Sequence, residues 1–160
     1  TTRSVRTQLD RLESAFSGKI QVRNFGRSEA FVVEVGPDRF GEVAAWVRME
    51  ESFRLDFLES LTAFEAKGKL VLTWFLRSSS NDRRLALRTS VALPSGNSRA
   101  IVPSTIGEWP HAEAFESELG PLFGIDFSGD RGTGGVRKNF GDFGGFPLRK
   151  GFEWREDVLP

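Results

Sequence analysis

The chain has 160 residues, 39% hydrophobic and 28% charged, enough for one domain with a sizeable core and too few for two. Its 22 basic residues balance 22 acidic ones, which argues against a general nucleic-acid binder or a polybasic membrane anchor. Cysteine and tyrosine are absent and histidine occurs once, at His111, so disulfides, thiolate metal sites, iron–sulfur ligation and histidine metal clusters are excluded from this chain.

In chain order, Val5, Leu9, Leu12 and Phe16 fall at helical spacing among charges, predicting an amphipathic helix over 4–16 that Gly18 ends. "KIQVRNF" and "EAFVVEV" read as two strands joined around Gly26, Arg27 and Ser28. Asp38 is placed to cap a helix over 39–48 that buries Phe40, Val43, Ala44 and Val47. "ESFRLDFLESLTAFEA" fits either a helix through Leu55, Leu58 and Leu61 or a loop crossing the sheet. "KLVLTWFL" and "RLALRTSVAL" flank the turn-like "RSSSND" and predict a second hairpin, and "SRAIVP" a fifth strand stopped by Pro103. A last helix begins near Pro110 and ends around Gly120 and Pro121. The order implies an α+β domain, with helices on a mostly antiparallel sheet of about five strands. No apolar run is long enough for a membrane span or a signal peptide.

The remainder reads differently. Residues 120–152 hold 10 of the 17 glycines, interleaved with Phe123, Phe127, Phe140, Phe143, Phe146 and Phe152. Flexible linkers lack large apolar residues, so this pattern predicts a segment that orders only against a surface. The division expected is a body over 1–128 and an irregular, extended C-terminal arm over 129–160. Between 131 and 155 the arm carries Arg131, Arg137, Lys138, Arg149, Lys150 and Arg155 against Asp142 and Glu153, a local excess of positive charge. A solvated basic face explains this, and so does a single-stranded RNA-binding module, whose arginines and aromatics interleave in the same way.

Enzymatic motifs are thin. "DFG" at 142–144 lacks the other kinase elements, Gly18-Lys19 lacks the rest of a phosphate loop, and "RGTGGV" does not open a helix after a strand. Glu116 and Glu118, two residues apart, project to opposite sides of a helix and cannot share one acid–base site. Glu113 and Glu116 share a face but have no third group. His111 reads as a cap-region or surface histidine, not a general base.

Three stretches, "SFRLDFLESLTAFE", "VPSTIGEWPHAEAFESELGPLFGIDFSGD" and "GGFPLRKGF", together resemble the C subunit (30 kDa subunit) of respiratory complex I. The likeness extends to related subunits of membrane-bound nickel–iron hydrogenases. Pro103, Ser104, Trp109, Pro110, Ala112, Glu116, Glu118, Phe123, Gly124 and Ile125 match the family pattern, as do Arg137, Gly145, Pro147, Leu148, Arg149 and Lys150, with Lys138 for the second of two arginines. Ala114, Ser117, Pro121, Phe146 and Gly151 depart from it, so the chain is a divergent member with fewer of the family's charged residues.

The resemblance implies a non-catalytic structural and assembly subunit in the peripheral arm of an NADH:quinone oxidoreductase, or the equivalent subunit of a membrane-bound hydrogenase or ferredoxin-linked complex. It implies no cofactor in this chain, the iron–sulfur clusters, flavin and quinone belonging to partner subunits. It places the chain peripherally on the cytoplasmic face, against the large quinone-module subunit and the iron–sulfur subunits, with no nucleic acid bound. The partner-docking residues it implies are Trp109, Glu116, Glu118, Phe123, Arg137, Lys138, Phe143, Phe146, Pro147, Leu148, Arg149 and Lys150, the phenylalanines as anchors and Arg149 and Lys150 pairing with a partner's carboxylates. Burying an aromatic contributes about 1.5–3 kcal/mol against an ordering cost of about 1–2 kcal/mol per residue, so the isolated arm is expected to be marginal.

Overall fold

A helix over Thr2–Ala15 (α1) opens the computed structural model, which describes residues 2–24, 31–128 and 144–153, with side chains from Arg6 onward. Leu9 and Leu12 are its buried stripe, Gly18 turns the chain in the left-handed region at φ 72°, and Phe16 packs edge-on against Trp46. Two strands follow, β1 (Ile20–Asn24) and β2 (Phe31–Val35), paired antiparallel as expected. The turn expected at 26–28 lies outside the described residues.

The second helix, α2 (Phe40–Met49), buries Phe40, Val43, Ala44 and Val47, the four positions that its periodicity selects. Asp38 does not cap it. Arg39 occupies the cap position without a side-chain hydrogen bond and pairs with Glu42 in the first turn at 2.9 Å. Asp38 instead sets its carboxylate back over Gly36, away from the helix amides.

Residues Phe57–Ala66 form a strand, β3, and neither a helix nor a loop. The reason for the misleading spacing is a register shift between Leu58 and Ser60 in its pairing with β4 (Lys69–Arg77). An extra residue at such a bulge keeps Leu58 and Leu61 on one face although they are three apart, which imitates a helical stripe. β4 pairs antiparallel with β5 (Arg84–Ala92), setting Trp74 opposite Leu87. β5 pairs in parallel with β2, so the sheet is mixed, in the order β1-β2-β5-β4-β3.

The fifth strand of that sheet is therefore β3. The strand at Ala100–Pro103 (β6) joins a separate two-stranded parallel sheet with β7 (Ile125–Ser128), an element that the glycines around it concealed. Between them runs α3 (Ala112–Phe123), the crossover that a parallel pair requires. It does not stop at Gly120 and Pro121. Pro121 sits in the last turn, and the helix ends on Gly124, left-handed at φ 67° and ψ 51°, whose N–H donates to the Gly120 carbonyl.

Residues of all three helices join the inner face of the large sheet in one core. Trp74, Trp109 and Phe40 are its largest fully buried side chains, with the Phe40 and Trp74 rings 4.3 Å apart. Two phenylalanines on the outer face, Phe64 and Phe75, stay largely exposed.

Candidate docking surface

Two buried polar groups organise the part of the molecule around α3. The first is Glu116, 5% exposed, one turn into the helix. Its Oε1 accepts from the Thr105 amide at 2.7 Å and the Thr105 hydroxyl at 3.1 Å, and its Oε2 from the Ser104 hydroxyl at 2.8 Å. The Thr105 hydroxyl in turn accepts the Trp74 indole N–H at 3.0 Å. One carboxyl group thus ties α3, the loop after β6 and, through Thr105, the interior strand β4. Burial pushes the Glu116 pKa up, and the three donors oppose it only in part. Trp109 anchors the same helix start by donating its indole N–H to the Leu55 carbonyl at 2.8 Å, and the His111 ring nitrogen meets the Leu58 carbonyl at 2.9 Å. Glu118 is exposed, on the opposite side of the helix from Glu116.

The second group is Arg149, 9% exposed. A guanidinium has five N–H donors, and here every one meets a carbonyl of this chain. Nε donates to Phe123 at 2.8 Å, Nη1 to Pro94 and Gly96 at 3.4 and 3.1 Å, and Nη2 to Ser98 and Gly124 at 2.8 and 3.1 Å. Its guanidinium carbon lies 4.4 Å from the centre of the Phe146 ring, and that of Arg99 lies 5.3 Å from the same ring. Burial lowers the Arg149 pKa from its ordinary value, Glu65 raises it and Arg99 lowers it further. A guanidinium remains charged through such shifts.

Phe146 and Arg149 close over Gly124. A Cβ there would stand 2.7 Å from Arg149 Nη2 and nearer still to the Phe146 ring, so both the left-handed backbone and the close approach require glycine. The turn around them is held by backbone bonds from Leu148 N–H to Leu122 and from Arg149 N–H to Phe146, while the Lys150 amide donates to Glu65 Oε2 at 2.9 Å.

The residues expected to dock a partner fall into two groups. Trp109, Glu116, Phe123, Phe146 and Arg149 turn inward and hold their own chain together. All five Arg149 donors meet carbonyl oxygens of the α3 terminus and the 94–98 loop, which gather in one fork. Residues 144–153, assigned from sequence to the arm, pack on the body. Pro147 is half-buried, whereas Leu148, Lys150 and Glu118 face outward. Arg137, Lys138 and Phe143, with Phe140, lie outside the described residues. Ser104 and Thr105 as partners of Glu116, and the carbonyls around Arg149, went unread, since backbone acceptors carry no residue-type signal.

No group of three or more metal-ligating side chains occurs among the described residues, and no described helix is long and apolar enough to cross a membrane. For the RNA-binding alternative, Phe146 beneath two guanidinium groups is no stacking platform.

The family described as respiratory-chain NADH dehydrogenase, 30 Kd subunit, matches residues 33–158. The chain belongs to that family. Among its relatives, the C subunit of the NADH-quinone oxidoreductase of Roseiflexus sp. (strain RS-1) is 31% identical over 147 residues, covering 90% of this chain and 81% of that protein. The C subunit of the Ruegeria pomeroyi enzyme is 32% identical over 124 residues, covering 75% of this chain and 58% of that longer protein. A solved structure of the membrane-bound sulfane sulfur reductase, an archaeal respiratory membrane complex, contains a chain that aligns with a TM-score of 0.65 at 16% identity, over 78% of this chain and 70% of that one. That likeness shows the shared fold. The 30 kDa match runs through the 144–153 turn, so the segment around Arg149 belongs to the family domain.

Proposed function

We propose that the chain is a non-catalytic structural subunit of the peripheral arm of a complex I-like NADH:quinone oxidoreductase. It docks onto the large quinone-module subunit and the iron–sulfur subunits, on the cytoplasmic face of the membrane, and makes membrane contact only through the complex. The observation that carries this reading is the family match over 33–158, joined to relatives that bear the name of the C subunit of NADH-quinone oxidoreductase. The residue inventory supports it too, because a chain without cysteine has no thiolate to hold a cluster. Clusters, flavin and quinone then belong to the partners.

The test is affinity capture of the tagged full chain from gently solubilised membranes of its own host, with the recovered proteins identified by mass spectrometry. Cluster-bearing subunits and the quinone-module subunit are expected. Repeated capture without any of them overturns the assignment to this complex, and recovery of hydrogenase subunits instead moves the chain to the related assembly.

A further inference from the structure

Three segments distant in sequence meet at one end of the molecule. The β3–β4 turn brings Lys67 and Lys69, and its Gly68 carbonyl accepts from the Leu93 amide at 3.0 Å. The loop that Leu93 enters supplies the Pro94, Gly96 and Ser98 carbonyls around Arg149 and then Arg99, whose guanidinium lies over Phe146. The turn 146–150 bridges the two, through the Arg149 side chain on the Pro94, Gly96 and Ser98 carbonyls and the Lys150 amide on Glu65. Lys67, Lys69, Arg99 and Lys150 are all exposed, and Leu148 stands among them 50% exposed.

Among the described residues, the positive charge at this end exceeds what the neighbouring acid offsets. Elsewhere, Arg11, Arg23, Arg39, Arg77 and Arg84 are each paired with a glutamate. None of Lys67, Lys69, Arg99 or Lys150 forms an ion pair among the described residues. Arg149 adds a buried positive charge whose five partners are neutral carbonyls, and Glu65, the acid beside it, which accepts the Lys150 amide, offsets only one of these charges. Since screening confines electrostatics to about 8 Å at physiological salt, distant acids do not compensate. A protein with no net charge therefore carries a cationic end centred on one exposed leucine.

We propose that this end is the surface by which the chain docks an acidic polypeptide segment, with Leu148 as the apolar anchor and Lys67, Lys69, Arg99 and Lys150 as the charge-matching rim. The inference rests on the structural-subunit reading above and adds where the contact lies and what chemistry it selects. Arg149 is a positioning residue: caged, it fixes the turn so that Leu148 and Lys150 face outward. The aliphatic centre favours a polypeptide over a nucleic acid, whose bases need an exposed aromatic, and four cations around an apolar residue suit carboxylates at a protein rim.

The test uses the tagged full chain in its host. Wild type is compared with K67E/K150E and with R6E/K19E, a control of equal charge change on α1 and the turn after it. Recovery of the partner subunits is expected to fall roughly tenfold in the first variant and to hold in the second, and wild-type recovery to fall as salt rises. Circular dichroism checks folding, and K67Q/K150Q replaces the reversal if it misfolds. In parallel, a photo-crosslinking benzoylphenylalanine at position 148 identifies the neighbour inside the cell. A crosslink to a glutamate- and aspartate-rich peptide supports the proposal, while one to RNA or lipid overturns it. If K67E/K150E behaves like the control while wild type still recovers its subunits, the docking surface is refuted and the proposed function stands. If wild type recovers no subunit, the proposed function fails, and the crosslink alone decides the surface.

Discussion

Glu116 shows what a carboxyl group does once buried against three donors and no cation. Its raised pKa means that the folded chain holds the proton more tightly than the unfolded one. Its contribution is therefore complete below 4.5, the ordinary value, and is lost as pH rises through the folded pKa. Glu116→Gln, which imitates the protonated form, should flatten that dependence, so the stability gap between variant and wild type should drift in the variant's favour from pH 4.5 upward in urea titrations. Glu116→Ala should instead start from a deficit of about 2–4 kcal/mol near pH 4.5, because the Thr105 amide and two hydroxyls lose their acceptor, and that deficit should narrow upward in pH by the same drift. Asp56 runs the other way: the Ser79 hydroxyl and amide lower its pKa, and its small, largely exposed contribution disappears as pH falls through the folded value. From sequence, the opposite facings of Glu116 and Glu118 were legible, because they follow from helical geometry alone. That Glu116 is the inward one was not, since its donors lie on a loop well before the helix.

At the level of elements, the α2 stripe and the β4–β5 hairpin were readable because local periodicity and burial agree there. β3 was not, because a bulge converts period two into an apparent period of three. The end of α3 was misread for a related reason: a Gly-Pro pair looks like a stop, yet a proline in a last turn forfeits one hydrogen bond, and the real stop is the left-handed Gly124. Gly124→Ala tests this junction. The strained backbone costs about 1–2 kcal/mol and the overlap with Phe146 and Arg149 about 1–3 kcal/mol more. Thermal denaturation should show a marked loss, whereas Gly107→Ala, where a Cβ meets open space and φ is ordinary, should lose little.

For the molecule as a whole, the α+β architecture and the family were both legible, the first from element order and the second from blocks such as "PLRK" and "LFGI". The arm was legible in composition but not in geometry: glycine and phenylalanine spacing signals a segment that seeks a surface, without saying whose. For residues 144–153 that surface is their own body. Amide hydrogen exchange on the isolated chain should accordingly find Leu148, Arg149 and Phe152 protected, since each donates to a backbone carbonyl. Arg149→Ala should release that protection together with Gly124, while leaving the strands of the large sheet slow. Exchange of Leu148 and Arg149 in wild type at the rate of an unstructured peptide would refute the closed turn.

The order of synthesis gives the guanidinium cage a temporal meaning. A ribosome delivers the polypeptide from its N-terminus, so every carbonyl that receives Arg149 emerges at least 25 residues before the side chain that will claim it. A nascent chain halted between Gly124 and that codon would possess the complete large sheet and all three helices, yet would have no clasp across Gly124.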